Sequence, residues 1–389
     1  MAKITTTLFG ELALLPYQAE VPVREKLEWL TDVLQAYDGS EQRLQSRTKP
    51  RQTLEYNVPL QYWKKATAFN TLYGAIRKDW AVPVWTEAQA VGDITGGQNT
   101  IDCDTLVHDL RADSLAMLFS LDGSYEIVEI ESITATDVTI YGPGATSRLG
   151  AWLIPVRRGF IVGTAQMPTN GREGSVKVTF QIDDNLSLTP AEPAQYLGDD
   201  IYYDAGLLSE SGIMTRVLQQ RQDVIDFELG PVERRTPWNN ARYSSPYASL
   251  LEGPTEVRAY KEFLYRRAGK FRAFWLPTFE NDLRLLSTGT ITSTMVVESA
   301  SLIDYASNRT HIAIEDADGN WYPREISDFI QLDADRVQFT LSTNLNLDSD
   351  KIVRMSYLGL NRLDADQIAF NWVGNNVVKS EVRILEISP

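Results

Sequence analysis

The chain has 389 residues, room for two or three domains that each bury a core of their own. A net charge of −15 argues against general nucleic-acid binding, which needs a basic face to neutralise phosphate. One cysteine, Cys103, excludes an internal disulfide framework and a thiolate zinc cluster, and two histidines leave the commonest general base nearly absent.

The N-terminus has no apolar signal core, and no window approaches the roughly 18 apolar residues of a membrane span. Neither a membrane, a specific nucleic acid, a metal nor a cofactor is expected as a partner. Cys103 lies in the acidic run Thr100-Ile-Asp-Cys-Asp104, a setting that raises a thiol pKa, and reads as structural.

Residues 22–37 carry short apolar runs that end at the Asp38-Gly39 turn signal. A basic stretch with Arg43, Arg47, Lys49 and Arg51 then feeds an alternating strand at 53–58, whose inward set is Leu54, Tyr56 and Val58. Gln61 to Lys78 reads as an amphipathic helix with Trp63, Phe69, Leu72, Tyr73 and Ile76 on or near one face. The next strand holds Trp80, Val82 and Val84, and Pro83 places it near an edge or an end. From 100 to 182 short alternating strands separated by turns give the pattern of an antiparallel sandwich or barrel, clearest at 125–130, 137–141 and 176–182. Residues 183–200, with Pro190 and Pro193, read as a linker.

The second half takes up the same order. Arg216 and Arg221 precede a strand at 224–229, and a loop over 230–254 leads to a helix over 256–268 that stops at Gly269. The strand Phe271–Pro277 and a β-rich run over 288–388 follow. Within that run Asp316-Ala-Asp-Gly-Asn320 lacks calcium-loop spacing and reads as a hairpin turn with Asp-Gly at its tip.

Three correspondences suggest that one unit occurs twice. Leu54, Tyr56 and Val58 recur as Ile225, Phe227 and Leu229; Phe69, Leu72 and Tyr73 as Tyr260, Phe263 and Leu264; Val178, Phe180 and Ile182 as Ile368, Phe370 and Trp372. Their spacings of 171, 191 and 190 residues imply an insertion of 20 residues between strand and helix in the second copy. The fold class expected is α+β, mainly β, in two similar halves, each a strand-helix-strand unit followed by an antiparallel β-sandwich or barrel. The units run 1–99, 100–200, 201–285 (with the inserted loop 230–254) and 286–389.

No phosphate-cradling glycine loop, G-x-S-x-G elbow or H-E-x-x-H helix occurs, so no catalytic residues are assigned. The inserted loop carries Arg234, Arg235, Trp238, Arg242, Tyr243 and Tyr247, the residue types that dominate protein interfaces. It reads either as an excursion folded over its own sandwich or as a contact with a neighbouring subunit, with carbohydrate stacking a further use of its rings. Arg43, Arg47 and Arg51 offer guanidinium forks to this chain's acids or to those of a neighbour.

The segment Glu28–Tyr56 resembles tail proteins of tailed bacteriophages. The likeness rests on Trp29-x-Thr31-Asp32, the Gly39-x-Glu-Gln-Arg43 turn, and Arg47-x-x-Pro-Arg51 opening a strand. The helix followed by Trp80-Ala-Val-Pro-Val-Trp85 continues it, and Tyr265-Arg-Arg-Ala-Gly-Lys-Phe-Arg-Ala-Phe-Trp-Leu-Pro277 is similar to the helix, glycine, aromatic-strand signature of distal-tail-type proteins. Arg362-Leu-Asp-Ala-Asp-Gln-Ile-Ala-Phe-Asn-Trp372 resembles a C-terminal stretch of such proteins. The resemblance implies a virion component, made in the host cytoplasm, that forms a homo-oligomer (trimer or hexamer) at the tail and joins the tube to hub, tip or fibre proteins. Such proteins pair one ring-forming domain with one sandwich domain; this chain carries two of each. The different-class alternative is a module that recognises a host surface glycan through exposed Trp and Tyr.

Overall fold

The computed structural model describes residues 3–61, 63–142, 144–170, 173–184, 186, 188–204, 216–238, 241–298, 302–306, 308–374 and 376–387. These form a mainly β fold of the α+β kind. The first half opens with the hairpin β1 (Lys3–Thr6) and β2 (Gly10–Leu14), then two long strands, β3 (Glu20–Gln35) and β4 (Glu41–Gln61). Helix α1 (Trp63–Ala75) and strand β5 (Trp80–Pro83) follow, and β6 (Arg148–Ile161) and β7 (Glu173–Ile182) close the half. In the second half come the hairpin β8 (Gln195–Tyr196) and β9 (Asp199–Ile201), β10 (Val217–Gln219), β11 (Arg242–Glu252), α2 (Gly253–Arg267) and β12 (Phe274–Pro277). It ends in β13 (Ile352–Leu363), β14 (Gln367–Trp372) and β15 (Val377–Glu386).

Period-two alternation builds the long strands: Val23, Leu27 and Trp29 of β3 and Leu54, Tyr56, Val58 and Leu60 of β4 all turn inward. An antiparallel path of eight strands runs β6-β7-β4-β3-β14-β15-β11-β10 and joins the two halves through the β3–β14 pair, where Glu25 faces Phe370. The inward side chains meet in one cluster with Leu27, Trp29, Leu54 and Phe180 from the first half and Tyr260, Phe263, Phe370 and Val382 from the second. Each half therefore completes the other's core.

Pairing follows one order in both halves. Strand β2 lies parallel to β5 as β9 lies parallel to β12, and β5 is antiparallel to β6 as β12 is to β13. Strand β4 pairs with β7 as β11 pairs with β15. Residues 89–147, between β5 and β6, form a β lobe around Ile101, Leu118, Ile130 and Val138. Residues 283–351, between β12 and β13, form another around Val297, Ile314, Val337 and Phe339. In it Asp316–Asn320 is the expected hairpin turn, with Gly319 at φ +81° and Asp316 Oδ1 accepting from the Asn320 amide at 2.8 Å.

Several expectations need correction. The counterpart of β4 is β11, and Ile225, Phe227 and Leu229 are not: only Asp223–Ile225 is strand, and Phe227 and Leu229 are exposed. Tyr247 holds the place of Tyr56, since these face Val382 and Val178 on the paired strands. No insertion separates strand from helix, because β11 ends at Glu252 and α2 starts at Gly253, so most of 242–254 is not loop. The match of Val178 and Phe180 is Val382 and Ile384 on β15, not Ile368 and Phe370 on β14. Of the two places Pro83 allowed, the structure takes the second: Pro83 ends β5, while the strand itself is interior, held between β2 and β6. Helix α1 buries Ala68, Thr71 and Leu72, while its rings Trp63, Phe69 and Tyr73 face outward.

Candidate functional site

The chemistry-bearing side chains gather along the seam between the halves. Helix α2 is set by Pro254 in its first turn and by Glu256, whose carboxylate accepts from the Glu252 amide at 2.8 Å. Val257, Tyr260, Leu264 and Arg267 form its inward stripe, and Lys261 and Tyr265 lie beside that stripe, toward the first half. Lys261 Nζ stands 2.9 Å from Glu25 and 3.2 Å from Glu87. Gln52 donates to Glu25 at 2.8 Å, Trp372 Nε1 donates to it at 3.3 Å, and Glu87 accepts from the Asp109 amide at 2.6 Å. Burial alone would lower the ammonium's pKa; the two carboxylates outweigh it and hold Lys261 above its ordinary value. Tyr265 sets its ring edge-on to Trp29 at 5.7 Å and donates to the Leu186 carbonyl at 2.6 Å.

A second cluster sits at the tip of the β3–β4 hairpin. Glu41 accepts from Arg242 at 3.1 Å and from Arg362 at 2.9 Å, so strands β11 and β13 are tied to the first half through one carboxylate. Arg242 also donates to the Gly39 carbonyl and lies over the Trp238 ring at 4.7 Å. Burial works against ionising Glu41, but Arg362, with Arg242 and Arg43, prevails and keeps its pKa below the usual carboxylate range. Two further buried carboxylates are each shared by a pair of arginines: Asp109 clasps Arg157 and Arg111, and Asp200 clasps Arg266 and Arg267 at the end of α2.

The structure divides the expected interface residues. Arg242 and Tyr247 are buried in their own chain, Tyr247 donating to the Asp204 carbonyl, so neither faces a neighbour. Trp238 is held against Arg242 and Gly39, and Tyr243 is half-buried beneath Arg216. Asn239 and Asn240 of the same segment lie outside the described residues. Arg234 is exposed on the strand Glu233–Arg235, and Arg235 is exposed as well, 3.0 Å from Glu233. Arg43, Arg47 and Arg51 all stand on β4. Arg43 is half-buried near Glu41, Arg47 donates to the Glu28 carbonyl at 2.7 Å, and Arg51 faces Glu28 across the ladder with its side chain exposed.

Reasoning from sequence missed Lys261, Glu25 and Glu87 altogether. The signal available was a lysine on the apolar face of α2 and a glutamate amid the inward positions of β3, each a charge demanding a partner. Cys103 is half-buried, and burial, more than the acidic run around it, pushes its thiol up to about 12. Among the described residues no group of three His, Cys, Asp or Glu side chains is arranged to hold a metal, and no helix is long and apolar enough to cross a membrane. No protein-family model matches the chain, and no curated protein matches it.

Proposed function

We propose that the chain is a structural component of a bacteriophage tail, forming a ring or sleeve at the distal tail or baseplate and connecting the tube to tip or fibre proteins. Supporting this is the use the fold makes of its ionisable groups. Lys261, Glu25, Glu87, Glu41 and Asp109 are all buried in ion pairs that tie segments far apart in sequence, an arrangement suited to a rigid building block. The motifs that resemble tail proteins fall at the same seam: Arg47-x-x-Pro-Arg51 lies within β4, and Tyr265–Pro277 spans the end of α2 and β12. Assembly is the mechanism under this reading, with outward rings and arginines making contacts and the acidic surface left to solvent.

Immunogold labelling of tailed virions with an antibody against the chain tests the reading. Gold confined to the distal end of the tail is the expected result. Virions without label, with the chain recovered only as free protein, would exclude it. The outward rings of Trp63, Phe69 and Tyr73 also suit stacking on sugars, so a glycan array probed with the monomer tests the carbohydrate-binding alternative.

A further inference from the structure

Helices α1 and α2 sit in equivalent places, each running on from a long strand (β4, β11) and leading to a short one (β5, β12). Matching their inward stripes lays Ala68, Thr71 and Leu72 on Tyr260, Phe263 and Leu264. Phe69 then takes the place of Lys261, and Tyr73 that of Tyr265. Their surroundings differ sharply. Lys261 is 2% exposed, whereas Phe69 is 54% and Tyr73 83% exposed, their rings stacked on each other at 6.2 Å.

Strand β3 makes that difference. Glu25 and Trp29 on its inward face cover Lys261 and Tyr265, and its outer edge pairs with β14. The second half holds a counterpart of β3 in β10, antiparallel on β11 as β3 is on β4. With Tyr247 laid on Tyr56, Leu218 falls in the place of Leu27. Leu27 is wholly buried, and Leu218 is 74% exposed. The first half in turn holds a counterpart of β14: Gln166 pairs with Lys177 and Thr169 with Gly174 along β7, as β14 pairs along β15. Each chain thus carries one used junction and the two separate halves of a second. Those halves cannot meet within one chain. Strand β10 lies beside the Glu41 tip of β4 and α1 at its other end, 21 residues away, on the order of 65 Å of strand.

We propose that β10 of one copy docks against α1 and the Gln166–Thr169 edge of a second copy, repeating between chains the junction that β3 makes within one. Leu218 packs on the Phe69–Tyr73 stack. Arg216, in the place of Glu25, keeps its own partners, Glu280 at 3.0 Å and the Tyr243 ring, so the contact is apolar where the internal junction is ionic. Around this contact the balance of charge is complementary: Lys64, Lys65, Arg77 and Lys78 outnumber Asp79 on and beyond α1, and Asp223, Asp226 and Glu228 outnumber Arg221 after β10. The contact is head-to-tail, since every copy offers both surfaces, and it closes into a ring or continues as a filament. Three chains in a ring would carry six like junctions, half of them internal. The inference stands on strand registers and exposure and does not rest on the tail reading.

Two variants and their mixture test it: Leu218→Asp, which spoils one surface, and Tyr73→Glu, which spoils the other. Light scattering after size exclusion should give a multiple of 43.8 kDa for the unaltered chain, one chain's mass for each variant, and a 1:1 dimer for the equimolar mixture, because one intact surface of each kind remains. Unaltered protein that stays at one chain's mass at every concentration overturns the proposal, as does a variant that keeps the parent mass or a mixture that never pairs. Melting curves establish that each variant is folded; Leu218→Ser and Tyr73→Ser replace any that is not. Labelling of virions reads the tail assignment separately, so either conclusion can fail while the other stands.

Discussion

Lys261 on α2 and Phe69 on α1 hold the same turn of equivalent helices, and opposite chemistry serves them. Around Lys261 the first half supplies two carboxylates, and Gln52 and Trp372 donate to one of them, so a full charge is buried between two opposite ones. Around Phe69 nothing among the described residues closes over the helix, and an aromatic ring stands in solvent. Whether a helix face reads as core or surface was decided by what the rest of the chain brings to it, not by the face itself. A buried charge fixes one geometry and tolerates no missing partner, whereas an apolar ring tolerates several neighbours, including a second molecule.

The sharpest way to break this comparison is Lys261→Ala. It leaves Glu25 and Glu87 buried without their cation, which costs about 3–5 kcal/mol. The urea midpoint should fall at unchanged slope, and a shift too small to resolve would mean that water already reaches the seam.

Next in size is Glu41→Gln at the hairpin tip, expected to cost about 1.5–3 kcal/mol at neutral pH because Arg242 and Arg362 lose their shared charged acceptor. The folded-state pKa of Glu41 lies below its ordinary value of 4.5. Its contribution is therefore fully present above that value and is lost as pH falls through the lower, folded one. The gap in stability between parent and variant should accordingly shrink on acidification below pH ~4.5; a gap that holds constant to pH ~3 would show that Glu41 gains nothing from its arginines. At the same tip Gly39→Ala tests backbone against side chain. Gly39 has φ +93°, and an added methyl would come 3.0 Å from both Arg242 Nη2 and Trp238 Nε1. Strain of about 1–2 kcal/mol is expected, read as a lower Tm.

Much of the scaffold was legible because alternation and helical spacing act locally. The strand at 176–182 and the helix at 256–268 stand close to where the pattern placed them. The second copy of β4 was hidden by chemistry: its inward positions include Ser245 and Ser249, both buried, so β11 shows no clean apolar alternation. Ile225, Phe227 and Leu229 show that alternation, and yet Phe227 and Leu229 end in the open. Period also cannot say which of two strands is a partner, and so β14 was taken for β15. In α1 the rings gave the stronger signal, but the small side chains Ala68 and Thr71 let the helix approach the sheet and set its inward face. The seam was illegible for a different reason. Glu25 and Lys261 are brought together by the β3–β14 pairing, and nothing local marks either as the other's partner.

The smallest expected effect closes the comparison from the other side. Phe69→Ser, made in the Leu218→Asp chain so that only the monomer is measured, removes a ring that the folded monomer leaves largely in water. Substitutions at such positions change stability by no more than about 0.5 kcal/mol, and the helix interior loses little in exchanging Phe for Ser, which have similar propensities. Urea unfolding of the two chains should overlay. A loss of several kcal/mol, approaching that of Lys261→Ala, would mean that something in the monomer already covers α1. The two helices would then be equivalent in environment as well as in place, and the open half-junction would have no vacancy for a second copy.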